Sequence, residues 1–270
     1  MQVTDQIGCH IELPNPARRI ISCVPSLTEL LFDLGLQNEV VGRTKFCIHP
    51  SEKVKSVEKC GGTKNLQIDK IINLQPDLII CAKEENEREQ IEFLKNHFQV
   101  YTTDIKNIPH NIEAVRHIGL LTGKTNEAQE LIHRIKANFL DIPKPTLTKT
   151  CVYMIWHKPM MTAGGDSFIN EMLRYAGFHN LMDHQKRYPS ISEKELLKLN
   201  PQYVLLSSEP FPFKEKHLKW YSDLLPQSKV LPVDGELFSW YGSRILKTAE
   251  YFKALNAGKF NASPGFEQLN

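Results

Sequence analysis

Short continuous apolar blocks alternate along this chain with longer stretches whose apolar residues fall three and four apart. Arg19-Ile20-Ile21-Ser22-Cys23-Val24 predicts a strand stopped by Pro25. Ser26 is then placed to cap a helix that carries Leu27, Leu30, Leu31 and Leu34 and ends at Gly35. Glu29, three residues after Ser26, completes a capping box. Val40-Val41-Gly42 predicts a second strand with Arg43 to Pro50 as its loop. Asp69 to Gln75 predicts a helix closed by Pro76, and Leu78-Ile79-Ile80-Cys81 a strand buried on both faces of a parallel sheet. A helix over Glu87 to Asn96 and a strand at Val100-Tyr101-Thr102 continue the alternation. Strands alternating with helices predict an α/β parallel sheet.

From Ile108 to Ile142 the pattern changes. No strand is predicted, and Ala128, Leu131, Ile132, Ile135 and Phe139 sit at helical spacing, with one interruption near Gly123 and Pro143 and Pro145 beyond. The βα pattern resumes with a strand over Thr150 to Trp156. The two halves also echo each other. Ile71 to Ile80, ending in Glu84, superposes without gaps on Leu196 to Leu205, ending in Glu209, and Glu29-Leu30-Leu31 up to Gly35 matches Glu171-Met172-Leu173 up to Gly177. The expected organisation is an N-terminal α/β lobe over 1–106, a helical connector over 107–142, a C-terminal α/β lobe over 143–257 and a tail over 258–270. Two such lobes predict a ligand site in the crevice between them, at the carboxyl ends of the strands.

At 270 residues, 41% hydrophobic and 24% charged, the chain has material for about two ordinary cores. Lys+Arg 33 against Asp+Glu 31 argues against a nucleic-acid binder, which concentrates positive charge. No apolar run is long enough to span a bilayer. Six scattered cysteines form no CxxC motif and are expected to be free, mostly buried thiols, with Cys47, His49 and Cys60 as a minor metal-ligand alternative. The start of the chain shows no basic region followed by an apolar one, so it reads as a cytoplasmic protein or a mature form with an initiator Met.

Catalytic motifs are missing. HExxH, GxSxG and GxGxxG do not occur, and Gly123-Lys124-Thr125 lacks both the first glycine of a P-loop and the strand that must precede it. Chemistry concentrates instead in loops expected to follow strands: Arg43-Thr44-Lys45-Phe46-Cys47, Gly61-Gly62-Thr63-Lys64-Asn65, Lys83-Glu84-Glu85-Asn86, Trp156-His157-Lys158-Pro159, Glu209-Pro210-Phe211-Pro212-Phe213, and Asp234 through Trp240-Tyr241-Gly242-Ser243-Arg244. Four of these six loops carry an aromatic residue, which suits contact with flat, partly apolar molecules. The competing reading has Phe46, Phe211 and Phe213 tucked beneath their own loops.

In these residues the chain resembles the class III solute-binding proteins of ABC importers, the group that binds cobalamin, haem and ferric siderophores. The resemblance runs from about Val3 to Leu255. It rests on Arg19 to Glu29, Gly61-Gly62, Pro76-Asp77-Leu78-Ile79-Ile80, Gly164-Gly165-Asp166 and Trp240 to Arg244 taken together. Within the group the chain is most similar to the vitamin B12-binding branch, although Ala82 stands where that branch carries a tryptophan. The resemblance implies two Rossmann-like lobes with parallel sheets joined by a long rigid connector helix, and a monomer that binds a metal chelate, corrinoid first, with ferric siderophore or haem as alternatives. No catalytic residue, metal ligand or resident cofactor is expected. Aromatic contacts are assigned to Phe46, Trp156, Phe211, Phe213, Trp240 and Tyr241, and polar contacts to Arg43, Lys64, Lys83, Glu84, Glu85, Glu209 and Arg244. The resemblance also implies docking on an ABC permease through one acidic residue per lobe, in the periplasm or cell envelope. The first maps onto Asp69 and the second onto Lys194, which reverses the charge but is flanked by Glu193 and Glu195. Two other readings stay open: a tetrapyrrole- or metal-handling enzyme using His49 or His157, and an intracellular adaptor or sensor of the same fold.

Overall fold

The structure is a computed structural model, and it describes residues 1–143 and 149–259. Pro145 and all but the first two residues of the expected tail lie outside the described residues. The chain divides into two compact units, Met1–Lys136 with Tyr241–Arg244, and Ala137–Trp240 with Ile245–Asn270.

The first unit begins with an antiparallel hairpin, β1 (Gln2–Thr4) and β2 (His10–Glu12). The alternation follows as β3 (Ile20–Ser22), α1 (Pro25–Asp33), β4 (Val40–Arg43) and β5 (Glu58–Lys59). A small hairpin of β6 (Gly61–Gly62) and β7 (Asn65–Leu66) leads to α2 (Ile68–Asn73), β8 (Leu78–Ala82), α3 (Arg88–Lys95) and β9 (Val100–Thr103). Helices α4 (Ile108–Leu121) and α5 (Thr125–Leu140) occupy the strand-free stretch, and the break between them falls at Gly123, whose φ is +69. The strand-free stretch is thus two helices with a left-handed glycine between them; α4 and most of α5 belong to the first unit, and the boundary between the units falls within α5. The sheet runs β5-β4-β3-β8-β9, all parallel. Every residue of β8 is buried, as a central strand covered on both faces requires.

The second unit runs β10 (Lys149–Trp156), β11 (Met161–Thr162), α6 (Phe168–Tyr175), β12 (Phe178–Asn180), α7 (Glu193–Leu199), β13 (Tyr203–Ser207), α8 (Glu215–Leu224), β14 (Lys229–Val233), α9 (Gly235–Ser239) and α10 (Ile245–Asn256). Its sheet runs β11-β10-β13-β14, with β12 also paired to β10, and only β11 antiparallel.

The internal echo corresponds to two helix–turn–strand units, α2 to β8 and α7 to β13. Their turns share an unusual backbone. Gln75 and Asn200, equivalent in the repeat, are both left-handed, with φ 44 and 42, and each precedes the proline that forbids further helix. Gly35 and Gly177 likewise end equivalent helices at φ 77 and 80.

One local expectation is corrected. Helix α1 starts with Pro25 after Val24 and has no side-chain cap. Ser26 Oγ is buried without a hydrogen-bond partner, and the Glu29 carboxylate is engaged by Arg244. Proline at the first helical position has already removed one of the amides that a cap would satisfy. All six cysteines are free thiols, and only Cys9 is not buried.

Candidate ligand-binding site

Parallel strands of one sheet end together, so the loops after β3, β4 and β8 gather at one edge of the first unit. Asn86 ties this edge together. Its Oδ1 accepts from the Ala82 amide at 2.8 Å, while its Nδ2 donates to the Cys23 carbonyl at 3.1 Å and the Thr63 carbonyl at 2.9 Å. Sequence reasoning gave Asn86 no role, and its only signal was a polar residue four positions after the end of a strand buried on both faces. The β6–β7 hairpin needs its glycine. At Gly61, φ +97, a Cβ would lie 2.4 Å from the Asn65 carbonyl oxygen.

On this edge Phe46 is 50% exposed, with the Lys45 ammonium 5.0 Å from its ring centroid. Lys64 donates to the Glu84 carbonyl at 3.2 Å and pairs with Glu87 at 3.5 Å. Lys83 pairs with Asp104 at 2.9 Å. Glu84 and Glu85 are half-buried, and Glu85 accepts from the Tyr241 hydroxyl at 3.1 Å. Phe46, Lys64, Lys83, Glu84 and Glu85 therefore sit on loops of one sheet edge with some surface to offer.

Arg43, Tyr241 and Arg244 are differently placed. Arg43 is buried and donates to the carbonyls of Val54 at 2.8 Å and Thr44 at 3.1 Å, which holds the loop after β4 in shape. Residues Tyr241–Arg244 return to the first unit and are keyed into it. Gly242 donates to Asn111 Oδ1 at 2.6 Å, and Asn111 Nδ2 donates back to its carbonyl at 3.3 Å. Arg244 grips Glu29 through two nitrogens at 2.7 and 3.0 Å, both side chains only 8% exposed. The bidentate grip expected of Arg244 exists, but its carboxylate belongs to the protein. Tyr241 is buried, and that burial, with Glu85 beside it, pushes its phenol well above the ordinary value.

In the second unit an aromatic cluster covers the end of β10. Trp156, 37% exposed, meets Phe211 at 5.3 Å between ring centroids and donates its indole N–H to the Lys158 carbonyl at 3.0 Å. His157 lies 5.1 Å from Trp220, 4.9 Å from His217 and 6.1 Å from Phe211, with Nδ1 3.5 Å from the Tyr221 hydroxyl. Phe213 is 1% exposed and packs in the core with Tyr221, Leu196 and Val204, so it sits in the core and not on a ligand face. Trp240 is also buried and donates its indole N–H at 2.8 Å to Glu209, which accepts from Ser239 Oγ at 2.7 Å as well. Burial raises the Glu209 carboxyl despite these donors. Trp156, Phe211 and Trp220 thus form the aromatic surface that reaches solvent. Trp220 was invisible to loop-by-loop reading because it projects from a helix, α8.

His217 sets the start of α8. Its Nδ1 accepts the Lys214 amide at 2.8 Å, which requires an unprotonated nitrogen there. Burial holds its pKa below the ordinary value, with His157, Lys216 and Lys214 adding to the effect. Because the folded value lies below the unfolded one, the unfolded chain binds the extra proton. The contribution is complete above about pH 6.5 and is lost as pH falls through the folded value. Urea midpoints across that range are expected to fall on acidification, and less so in His217→Asn, whose amide oxygen accepts at any pH. An unchanged pH slope in the variant removes His217 as the cause.

Cys47, His49 and Cys60 form no metal-binding group, and none exists among the described residues. No described helix is long and apolar enough to cross a membrane.

Each of the two α/β units carries loops at the carboxyl ends of its parallel strands. Residues 20–225 match the periplasmic binding protein family, and the chain belongs to that family. It is 27% identical over 262 residues to an uncharacterized ABC transporter substrate-binding lipoprotein, YvrC, of Bacillus subtilis, covering 92% of this chain and 82% of that protein. It is 28% identical over 203 residues to the vitamin B12-binding protein of Vibrio vulnificus, covering 71% and 72%. A solved structure of a possible iron-binding periplasmic solute-binding protein from Staphylococcus epidermidis superposes with a TM-score of 0.74 at 25% identity, over 89% of this chain and 99% of that one.

Proposed function

We propose that the chain binds a metal chelate, corrinoid first, and passes it to an ABC permease at the cell envelope. The observation that carries this reading is the solvent-reaching aromatic surface of Trp156, Phe211 and Trp220 at the end of β10, within a family of solute-binding proteins. Exposed aromatics of this size cost free energy in water and recover it against a flat apolar ligand. The similarity to a vitamin B12-binding protein places corrinoids first, and the possible iron-binding neighbour keeps ferric chelates as the second reading. Phe46, half exposed on a loop of the first unit, is a second candidate contact, considered by itself. Covering what is left exposed of either residue, 37% of Trp156 and 50% of Phe46, contributes about 1 kcal/mol. Calorimetric titration is therefore expected to show a roughly fivefold loss of affinity in both Trp156→Ala and Phe46→Ala, with folding intact. Full affinity in both variants contradicts this placement.

Docking on the permease is assigned to Asp69 and Glu193. Glu195 is committed elsewhere, because its carboxylate accepts the Ser192 amide at 2.8 Å and hydroxyl at 2.6 Å in a capping box. Asp69 and Glu193 are exposed and carry no ion pair among the described residues. One turn further on each helix, Ile72 and Leu197, equivalent in the repeat, are 38% and 47% exposed, so each acid has an apolar neighbour on its own face. Stimulation of the cognate permease's ATPase in liposomes is expected to fall severalfold in Asp69→Lys and Glu193→Lys. Unchanged stimulation in both rules this mode out.

A further inference from the structure

Several lysines beside the candidate site loops of the two units differ in their partners. In the first, Lys64 and Lys83 have carboxylate partners. In the second, Lys158 lies two residues from Trp156, Lys214 and Lys216 flank Glu215 next to His217, whose ring is 5.2 Å from Phe211, and the three lysines are exposed with no ion pair among the described residues. Lys158 follows Trp156 by two residues and accepts its indole N–H at the backbone. Lys214 and Lys216 stand at the start of α8, beside His217, where a positive charge opposes the helix dipole. That placement costs stability in the free protein, as a charge reserved for a ligand does.

We propose that Lys158, Lys214 and Lys216 bind the acidic edge of a planar metal chelate whose apolar face lies on Trp156, Phe211 and Trp220. This rests on the chelate-binding reading and narrows it to chelates with free carboxylates or other anionic substituents, in preference to their neutral amide or ester counterparts. The local field agrees. Burial and then Lys158 and Lys216 hold His157 below its ordinary pKa, with Glu193 opposing. The charged neighbours that lower His217 are His157, Lys216 and Lys214, with no carboxylate among the groups acting on it. Tyr221, the remaining titratable group against His157, is held neutral by burial, which raises its phenol. A positive field over an aromatic surface suits an anion at its rim and an apolar ring at its centre.

The test compares ligands that differ only in charge: cyanocobalamin against cyanocobalamin with its propionamide side chains hydrolysed to carboxylates, and haemin against haemin dimethyl ester. Each is titrated into the intact protein at low and high salt. The acidic member of at least one pair is expected to bind about tenfold tighter at low salt, as a charge-assisted hydrogen bond provides. That preference is expected to shrink at high salt and to disappear in the triple variant Lys158→Gln, Lys214→Gln, Lys216→Gln. Circular dichroism of the triple variant controls for folding, and the three single variants serve if it does not fold. Equal binding within both pairs, unaffected by the lysine variants, overturns the lysine assignment and leaves the chelate reading intact. No binding of any of the four ligands overturns the lysine assignment together with the corrinoid and haem readings, leaving ferric siderophores as the only chelates still to be tested.

Discussion

Arg244→Ala is expected to destabilise the protein by about 3–5 kcal/mol, the cost of leaving a buried carboxylate without its partner. Arg244 and Glu29 are separated by most of the chain, are both 8% exposed, and meet through two charge-assisted hydrogen bonds at 2.7 and 3.0 Å. Glu29→Ala is expected to do similar damage, because it strands the guanidinium instead. Replacing both with apolar residues of similar size, Glu29→Leu with Arg244→Met, is expected to recover most of the loss, since neither charge then remains to be solvated. Urea unfolding of the two single variants and the double one closes the cycle. A double variant no better than the worse single would show that packing, and not the charge pair, dominates here.

Phe213→Ala carries the second large effect. The ring is 1% exposed and lies against Phe211 at 4.8 Å and His217 at 5.8 Å, with Tyr221 at 6.2 Å. Its removal opens a cavity at the base of the aromatic surface, and losses of about 3–5 kcal/mol follow Phe→Ala at such sites. Trp156→Ala, in the same cluster but 37% exposed, is expected to leave unfolding within about 1 kcal/mol of the parent while weakening ligand binding. The two variants thus separate core from contact surface. A Phe213→Ala protein of parental stability, or a Trp156→Ala protein that unfolds readily, would reverse that assignment.

The contrast between these residues marks where sequence reasoning stops. Periodicity and breakers located β3, β4, β8, β9 and β10, β13 through the repeat, and the interrupted helical stretch, because each depends on near neighbours in the chain, whereas β5, β11, β12 and β14 went unread. Ser26 and Glu29 met every local criterion for a capping box, yet Glu29 pairs across 215 positions with Arg244. No local pattern carries that information. The same limit applies to Arg43, which looked available and is spent on the carbonyls of its own loop. The capping box that does exist, Ser192 with Glu195, has the same spacing as Ser26 with Glu29, and the difference is only what else lies within reach of the carboxylate. Aromatic content of the loops pointed to the end of the second unit where the aromatic cluster lies. It did not separate exposed Trp156 from buried Phe213, or reveal that Trp220 and His217 complete the cluster from α8.

The central claim, that this chain carries a metal chelate, is tested most directly by tryptophan fluorescence of the purified protein during titration with cyanocobalamin, haemin and a set of ferric siderophores. Trp156 and Trp220 belong to the aromatic surface, so a chromophore seated there quenches them. The account predicts saturable quenching, after inner-filter correction, by at least one of these ligands at submicromolar concentration, and loss of that response in Trp156→Ala. Absence of saturable quenching by every one of them, with the protein folded, would contradict it.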